Sequence, residues 1–448
     1  NQVSSLAEKV VKIKSRNYSK EELESLEKAF TQSKTKLEIL ETEIASKDPN
    51  YSNLTRPTPL TLKQIQEKVL DSNTLLIQYS LGETSSYVWV VNDKEIYSYK
   101  LPKRQEIETL SDKIYSLLTT RNSQEDFETI KEKTIRIKQA EEDYTKWSVE
   151  LSKMILAPIE KHLTNKKRLL FCLDGKLNFV PFAALPLTSS FSFTPLVTYY
   201  EISSSPSGST ISLLREQHQP KENIISKSKI LVVADPIFTS QDTRISKSIR
   251  NGNQKITEQP LNLLGVRGNL SFDRLPFTRK EADGIKAVFA GQVTELLDQD
   301  ANKENIKHSD LTPYGALHFA THSITDNEHP ELSSIVLSMV DEKGQTKPGL
   351  LTTGDIFKLK TSAQVVTLSA CSTALGKERQ GEGIIGLTRA FMYSGTPRVI
   401  ATLWNINDEV TAEFMVSFYQ YLKQNMSPNA ALRQAQLTAL KKDKLKSP

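Results

Sequence analysis

Cysteine is nearly absent from this chain: Cys172 and Cys371 are its two thiols in 448 residues. Two thiols cannot build a disulfide framework or a cysteine-based zinc site, and their scarcity fits a reducing compartment such as the cytoplasm. No apolar run reaches the roughly 18 residues that a membrane-spanning helix needs. One-sided charge is missing as well. The 58 basic and 53 acidic residues leave a net +5 spread along the whole length, which implies no field for nucleic acid. The first residue is Asn1 rather than methionine, so the chain reads as a fragment from which a leader or upstream domains can have been removed.

What is present is an ordinary soluble composition, 38% hydrophobic and 25% charged, with length for two or three domains. Within residues 1–50, Leu23, Phe30, Leu37 and Ile44 recur seven apart, with Leu26 and Leu40 at the intervening spacing. That is one apolar helical stripe. Ser33 interrupts it, which favours packing on its own protein over a partner-binding coiled coil.

The linker-like "KDPNYSNLTRPTP" precedes a first α/β unit, taken as residues 51–225. Thr61 and Gln64 form a capping box ahead of a short helix to about Leu70. Three strands follow, turning at Gly82 and at Asn92-Asp93, then helical periodicity from 104 to 163, broken near Asn122. The apolar "KRLLFCLDGKLNF" supplies another strand, and Cys172 inside it reads as core.

A second unit, taken as residues 226–448, opens with "KILVVADPIF" and a long polar loop over 239–273. Helices and strands then alternate, with strands at "YGALHFATHS", "SSIVLSM", "AQVVTLSA" and "PRVIATLW" and two helices at the end. This alternation predicts a mostly parallel sheet covered by helices, whose ligands bind beyond the carboxyl ends of the strands. Cys371 and His322 both fall at such ends.

Three readings of Cys371 compete. In the first it is a nucleophile whose thiol is deprotonated by His322, 49 residues upstream, and the same imidazole later protonates a leaving amine. The backbone N–H groups of Cys371 and Ser323 then hold the oxyanion. In the second, Gly381, Gly383 and Gly386 spell a dinucleotide fingerprint with Asp408 as its acid, but Cys371 to Gln380 separate strand from glycines, and a pyrophosphate cradle needs a direct turn. In the third, Cys371 is core and His322 a satisfied interior histidine. The small polar residues after each, Ser323 and Ser372-Thr373, leave room for a substrate and favour the first reading. His318 lies on the same strand face as His322 and is a rival base, deeper in the strand.

The stretches "LHFATHS", "VVTLSACSTALGKERQGEGIIGLTRAFMYSGTPRVIATLWNINDEV" and "NAALRQAQ" resemble the CHAT family, caspase-like proteases related to separases and often fused to tetratricopeptide repeats. The resemblance covers roughly residues 60–440 and implies a cysteine endopeptidase with Cys371 as nucleophile and His322 as general base and acid. It further implies a first caspase-like subdomain without a catalytic pair, an N-terminal segment that ends or connects a repeat array, and no cofactor or metal. The expected partners are a protein substrate and a regulatory subunit, bound signal or upstream repeats. Where the family has glycine after the histidine, this chain has Ser323, which tolerates positive φ poorly.

"LWNINDEV" is similar to the separase segment that receives a basic P1 side chain, which places Asp408 at the floor of the S1 pocket, with Asp235 in reserve. Asp408 can equally cap the helix that begins near Glu409. Lys377 or Arg379 is a candidate self-cleavage point, Glu382 a candidate organiser of that loop. The alternative to a protease is a caspase-like scaffold that binds a partner without turnover.

Overall fold

The computed structural model describes residues 21, 23–29, 31–33, 35–36, 59–122, 128–189, 192–217, 225–245, 272–325, 333–369, 372–374, 382–404, 406 and 408–442. Residues 23–29 and 31–33 are helical, with Leu23 and Leu26 half-buried; Phe30, Leu37, Leu40 and Ile44 lie outside the described residues. Contacts divide the molecule into two units, one built on Thr58–Gln219 with Ser417–Pro448, the other on Pro220–Val416.

The first unit holds a five-stranded mixed sheet, β1 (Thr74–Ser80), β2 (Ser86–Val91), β3 (Ile96–Leu101), β4 (Arg168–Cys172) and β5 (Glu201–Ser204), in the order β3-β2-β1-β4-β5. β1 to β3 form an antiparallel meander, while β4 lies parallel to both β1 and β5. The capping box forms as the sequence predicts: Thr61 N–H donates to Gln64 Oε1 at 2.9 Å, and Gln64 N–H donates to Thr61 Oγ1 at 3.4 Å, starting helix Leu62–Lys68. A second box, Thr129 with Glu132, starts helix Ile130–Ile155, whose buried stripe runs Ala140, Tyr144, Ser148, Leu151, Ser152, Ile155. Cys172 packs among Val69, Leu70, Leu76, Val91 and Leu170. Helix Pro428–Lys441 belongs to this unit, and Arg433 donates to the carbonyls of Val197 (2.9 Å) and Thr198 (2.6 Å).

The second unit carries a wholly parallel sheet of β6 (Lys229–Pro236), β7 (Val293–Asp298), β8 (Tyr314–Ala320), β12 (Val365–Leu368) and β14 (Val399–Ala401), ordered β14-β12-β8-β6-β7. Alternate residues of the three inner strands, Leu231, Val233, Leu317, Phe319, Val366 and Leu368, form one core with Leu387, Ala390 and Phe391 of helix Glu382–Tyr393. Helix Pro276–Val288 also packs on the sheet; a Cβ at Gly284 would sit 2.4 Å from Val416 Cγ2, so glycine lets the chain at Val416 approach. From β6 the chain steps to one side for β7 and returns to the other for β8. The strand order therefore reverses between β6 and β8, where parallel sheets open a crevice at the carboxyl ends.

One expected strand is two. "YGALHFATHS" ends in the main sheet at Ala320 and resumes as β9 (Ser323–Thr325) in a separate sheet with β10 (Ser334–Val336), β11 (Leu350–Thr352) and β13 (Ser372–Ala374), ordered β11-β10-β9-β13. Buried Thr321 marks the break, its Oγ1 donating to the Val336 carbonyl at 2.7 Å. The partners of β9 are β10, antiparallel, and β13, parallel; β11 flanks β10. The residues before Thr353 pair with β10, and Thr352 caps the short helix Thr353–Ile356 together with Asp355.

Candidate functional site

β8 delivers His322 to the crevice side of its own carboxyl end, two residues past Ala320. The imidazole is buried, 8% exposed, with Phe238 and Phe272 as ring neighbours at centroid distances of 5.2 and 5.3 Å. Nε2 lies 2.8 Å from the backbone carbonyl oxygen of Asp273. A carbonyl only accepts, so Nε2 must carry the proton, and the neutral ring then presents Nδ1 as its basic atom. Nδ1 is buried and has no hydrogen-bond partner among the described residues. Burial lowers the His322 pKa below the usual histidine value, partly opposed by the Asp273 backbone bond and by the Asp273 and Asp408 charges.

Beside it, at the end of β6, Asp235 adopts a left-handed backbone (φ 49°) where the sheet register shifts between Ala234 and Pro236. Its carboxylate is fully buried and engaged by arginines of its own chain. Arg274 makes a two-pronged contact, Nε to Oδ1 at 2.9 Å and Nη2 to Oδ2 at 2.8 Å; Arg279 and Arg244 reach Oδ2 at 3.2 and 3.0 Å. Arg244 also binds Asp242 (2.7 Å) and Asp298 (2.7 Å), and Arg279 binds Asp298 (2.6 Å). The hydrogen bond to Asp235, with its charge, raises the Arg274 pKa, and the Arg244 hydrogen bond lowers that of Asp242. Among the described residues, Asp235 is thus already engaged by three guanidinium groups of its own chain.

Asp408 is the first residue of helix Asp408–Lys423 and is half-buried. Its Oδ2 accepts the Phe277 backbone N–H at 3.4 Å, at the start of helix Pro276–Val288, whose own N-cap, Leu275, offers no side-chain bond. The carboxylate therefore serves a helix N-terminus other than its own, within electrostatic reach of His322. Ser323 is buried in β9, register partner of Ile335 on one side and Ser372 on the other, and is not among the residues of positive φ. The glycine expected there is not required by the backbone.

His318, the rival base, sits in mid-strand with no exposure, its Nε2 2.8 Å from Oε1 of buried Glu281 on helix Pro276–Val288. Cys172 is buried and its thiol is pushed up to about 12, which makes it inert. Cys371 lies outside the described residues, as do Lys377, Arg379 and Gly381; Glu382 and Gly383 open helix Glu382–Tyr393, and Gly386 lies inside it. Those two glycines are helical and do not form a turn before a helix, which removes the dinucleotide cradle. Among the described residues no group of three or more His, Cys, Asp or Glu could hold a metal ion, and no helix is long and apolar enough to cross a membrane. Sequence reasoning missed Phe272, Asp273 and Arg274, which sit at the end of a stretch that reads as polar loop.

Three comparisons bear on this arrangement. The family signature of the CHAT domain matches residues 145–448. Tetratricopeptide repeat protein 28 of Mus musculus and its Homo sapiens counterpart are each 24% identical over 318 residues, covering 63% of this chain and 12% of the relative. The chain therefore spans a small part of the curated relatives it matches. In the Saccharomyces cerevisiae separase–securin complex, one chain superposes with a TM-score of 0.50 at 10% identity, over 84% of this chain and 29% of that one. The two share a fold.

Proposed function

As the chain belongs to the CHAT domain family, we propose that it is a cysteine endopeptidase with Cys371 as nucleophile and His322 as general base and acid. One observation carries this reading: Ser323 of β9 and Ser372 of β13 are register partners in parallel strands, and His322 and Cys371 are the residues immediately before them. Consecutive Cα atoms are about 3.8 Å apart and paired strands about 4.8 Å. This reading requires that register to extend one residue back, which would set thiol and imidazole side by side. The state of His322 suits the role, since its Nε2–H is spent on the Asp273 carbonyl and its buried Nδ1 is left to take a proton.

In the proposed reaction Nδ1 accepts the thiol proton and the thiolate sulfur bonds to the scissile carbonyl carbon, the π electrons moving onto oxygen. The backbone N–H groups of Cys371 and Ser323 hold that oxyanion. Collapse breaks the C–N bond while the imidazolium protonates the departing amine. Water, giving its proton to Nδ1, then cleaves the thioester and restores the thiol. Asp408 is assigned the basic P1 side chain in preference to Asp235, whose carboxylate its own arginines occupy. Cleavage of a protein partner, controlled by upstream repeats, another subunit or a bound signal in a reducing cytoplasm, accords with relatives named for tetratricopeptide repeats and with a structural neighbour solved in a complex.

The test is turnover of a peptide panel with Arg, Lys, Asp or Ala at P1 by the full chain and its C371A, H322A and D408N variants. Cleavage after Arg and Lys is expected, reduced about 1,000-fold or more by either of the first two changes. D408N is expected to erase the basic preference. Turnover unchanged in C371A overturns the protease; a folded wild type that cleaves no member of the panel points to the scaffold.

A further inference from the structure

A backbone carbonyl can fix a histidine's tautomer only if something holds the carbonyl. Asp273 itself is exposed, and no side-chain bond holds it among the described residues. The anchors lie on either side. Phe272 is buried, with its ring 5.8 Å from Phe238 and 5.3 Å from His322. Arg274 extends the other way, and its guanidinium grips both oxygens of Asp235. Because the Asp273 carbonyl carbon and the Arg274 nitrogen belong to one planar amide, that C=O turns only with the peptide unit, and the buried Phe272 ring on one side and the anchored Arg274 side chain on the other restrict the turn.

We infer that Arg274 and Asp235 are positioning residues: their two-pronged ion pair aims the Asp273 carbonyl at His322 Nε2 and so keeps the proton off Nδ1. This rests on the reading of His322 as the base. It gives the carboxylate a task other than an S1 floor, at a position where the backbone is left-handed and the sheet register shifts. Arg244 and Arg279 neutralise the same buried carboxylate but contribute no atom to the Asp273–Arg274 amide. They serve as the internal control.

The experiment is NMR of the full chain labelled with ¹⁵N-histidine, the His322 signals assigned by loss in H322Q, comparing wild type with R274Q, R274K and R279Q. Wild type is expected as the Nε2–H tautomer with slow exchange of that proton. R274Q should mix in the Nδ1–H tautomer and speed exchange by about tenfold or more, the loss of one well-aligned hydrogen bond. R274K, which keeps charge but loses the fork, should fall between, and R279Q should match wild type. An R274Q spectrum identical to wild type, or an R279Q spectrum changed as much as R274Q, overturns the inference. R274K carries the test if R274Q does not fold. The readout does not involve Cys371, so loss of the protease reading through an active C371A leaves this result independent.

Discussion

Each unit presents the carboxyl ends of two adjacent parallel strands, and the two pairs of ends are finished differently. In the first, Leu81 follows β1 by one residue and Asp174 follows β4 by two. Asp174 Oδ2 accepts the Leu81 N–H at 2.7 Å, and Arg104 donates to the Leu81 carbonyl (2.6 Å) and to Glu108 (3.0 Å). The nearby thiol, Cys172, is the last residue of β4 and is buried. In the second, Asp235 is the last residue but one of β6 and His322 follows β8 by two, and beside a carboxylate held by three arginines there remains a buried ring nitrogen without a partner among the described residues. Fold alone does not make a site. Among the described residues the first unit also buries an unpartnered oxygen, Asp112 Oδ1, but that carboxylate is already ion-paired with Lys176, whereas the second unit leaves a neutral imidazole nitrogen.

The sharpest way to break this contrast is to compare the two thiols. Single-cysteine variants C172A and C371A, treated with iodoacetamide at pH 7.5, should differ by at least about 100-fold, the thiol at 371 reacting first. Cys172, held as a thiol by burial that pushes it up to about 12, should label only on unfolding. Equal rates would make Cys371 one more core cysteine.

The carboxylates give a smaller contrast, read in stability. D235N leaves three partly exposed guanidinium groups around a fully buried neutral amide, and chemical denaturation should show a loss of about 3 kcal/mol. At Asp174, where the side chain is 36% exposed and its arginine partner lies at 3.4 Å, D174N should cost at most about 1 kcal/mol. Comparable losses would mean that both strand ends rely on their ion pairs equally.

How far such differences can be read from sequence depends on whether they are local. The capping boxes at Thr61 and Thr129 follow from residues three apart, and the apolar runs of β4, β6, β8 and β12 follow from composition. His322 was legible because a polar residue ends such a run. The step from β8 to β9 was not: Thr321 is small and fully buried, so the pattern continues unbroken through a change of sheet. The Asp273 carbonyl carries no signature, since every residue has one. Arg274 finds Asp235 across 39 residues, and nothing in the period of Pro428–Lys441 says which sheet that helix covers.

The smallest effect concerns protons, and it again pairs one unit with the other. Burial lowers the pKa of His322 in the fold, and burial together with Lys161 lowers that of His162, which is half-buried and 2.7 Å from the Tyr99 hydroxyl. Unfolded, each ring has a pKa near about 6.5. In the window below that value and above the folded pKa, the unfolded chain binds more protons than the folded one, so stability falls as pH falls. The contribution is intact above about 6.5, is lost as pH drops through the folded value, and levels off once both states are protonated. H322Q should therefore flatten the acid limb of a denaturation midpoint measured from pH 7.5 to 4.5 more than H162Q does, because the more deeply buried ring pays the larger desolvation cost. A steeper change in H162Q would mean that the His322 ring admits water and is not held neutral by its burial between two phenylalanines, and Nδ1 would then have no reason to stay free of a proton at mildly acid pH.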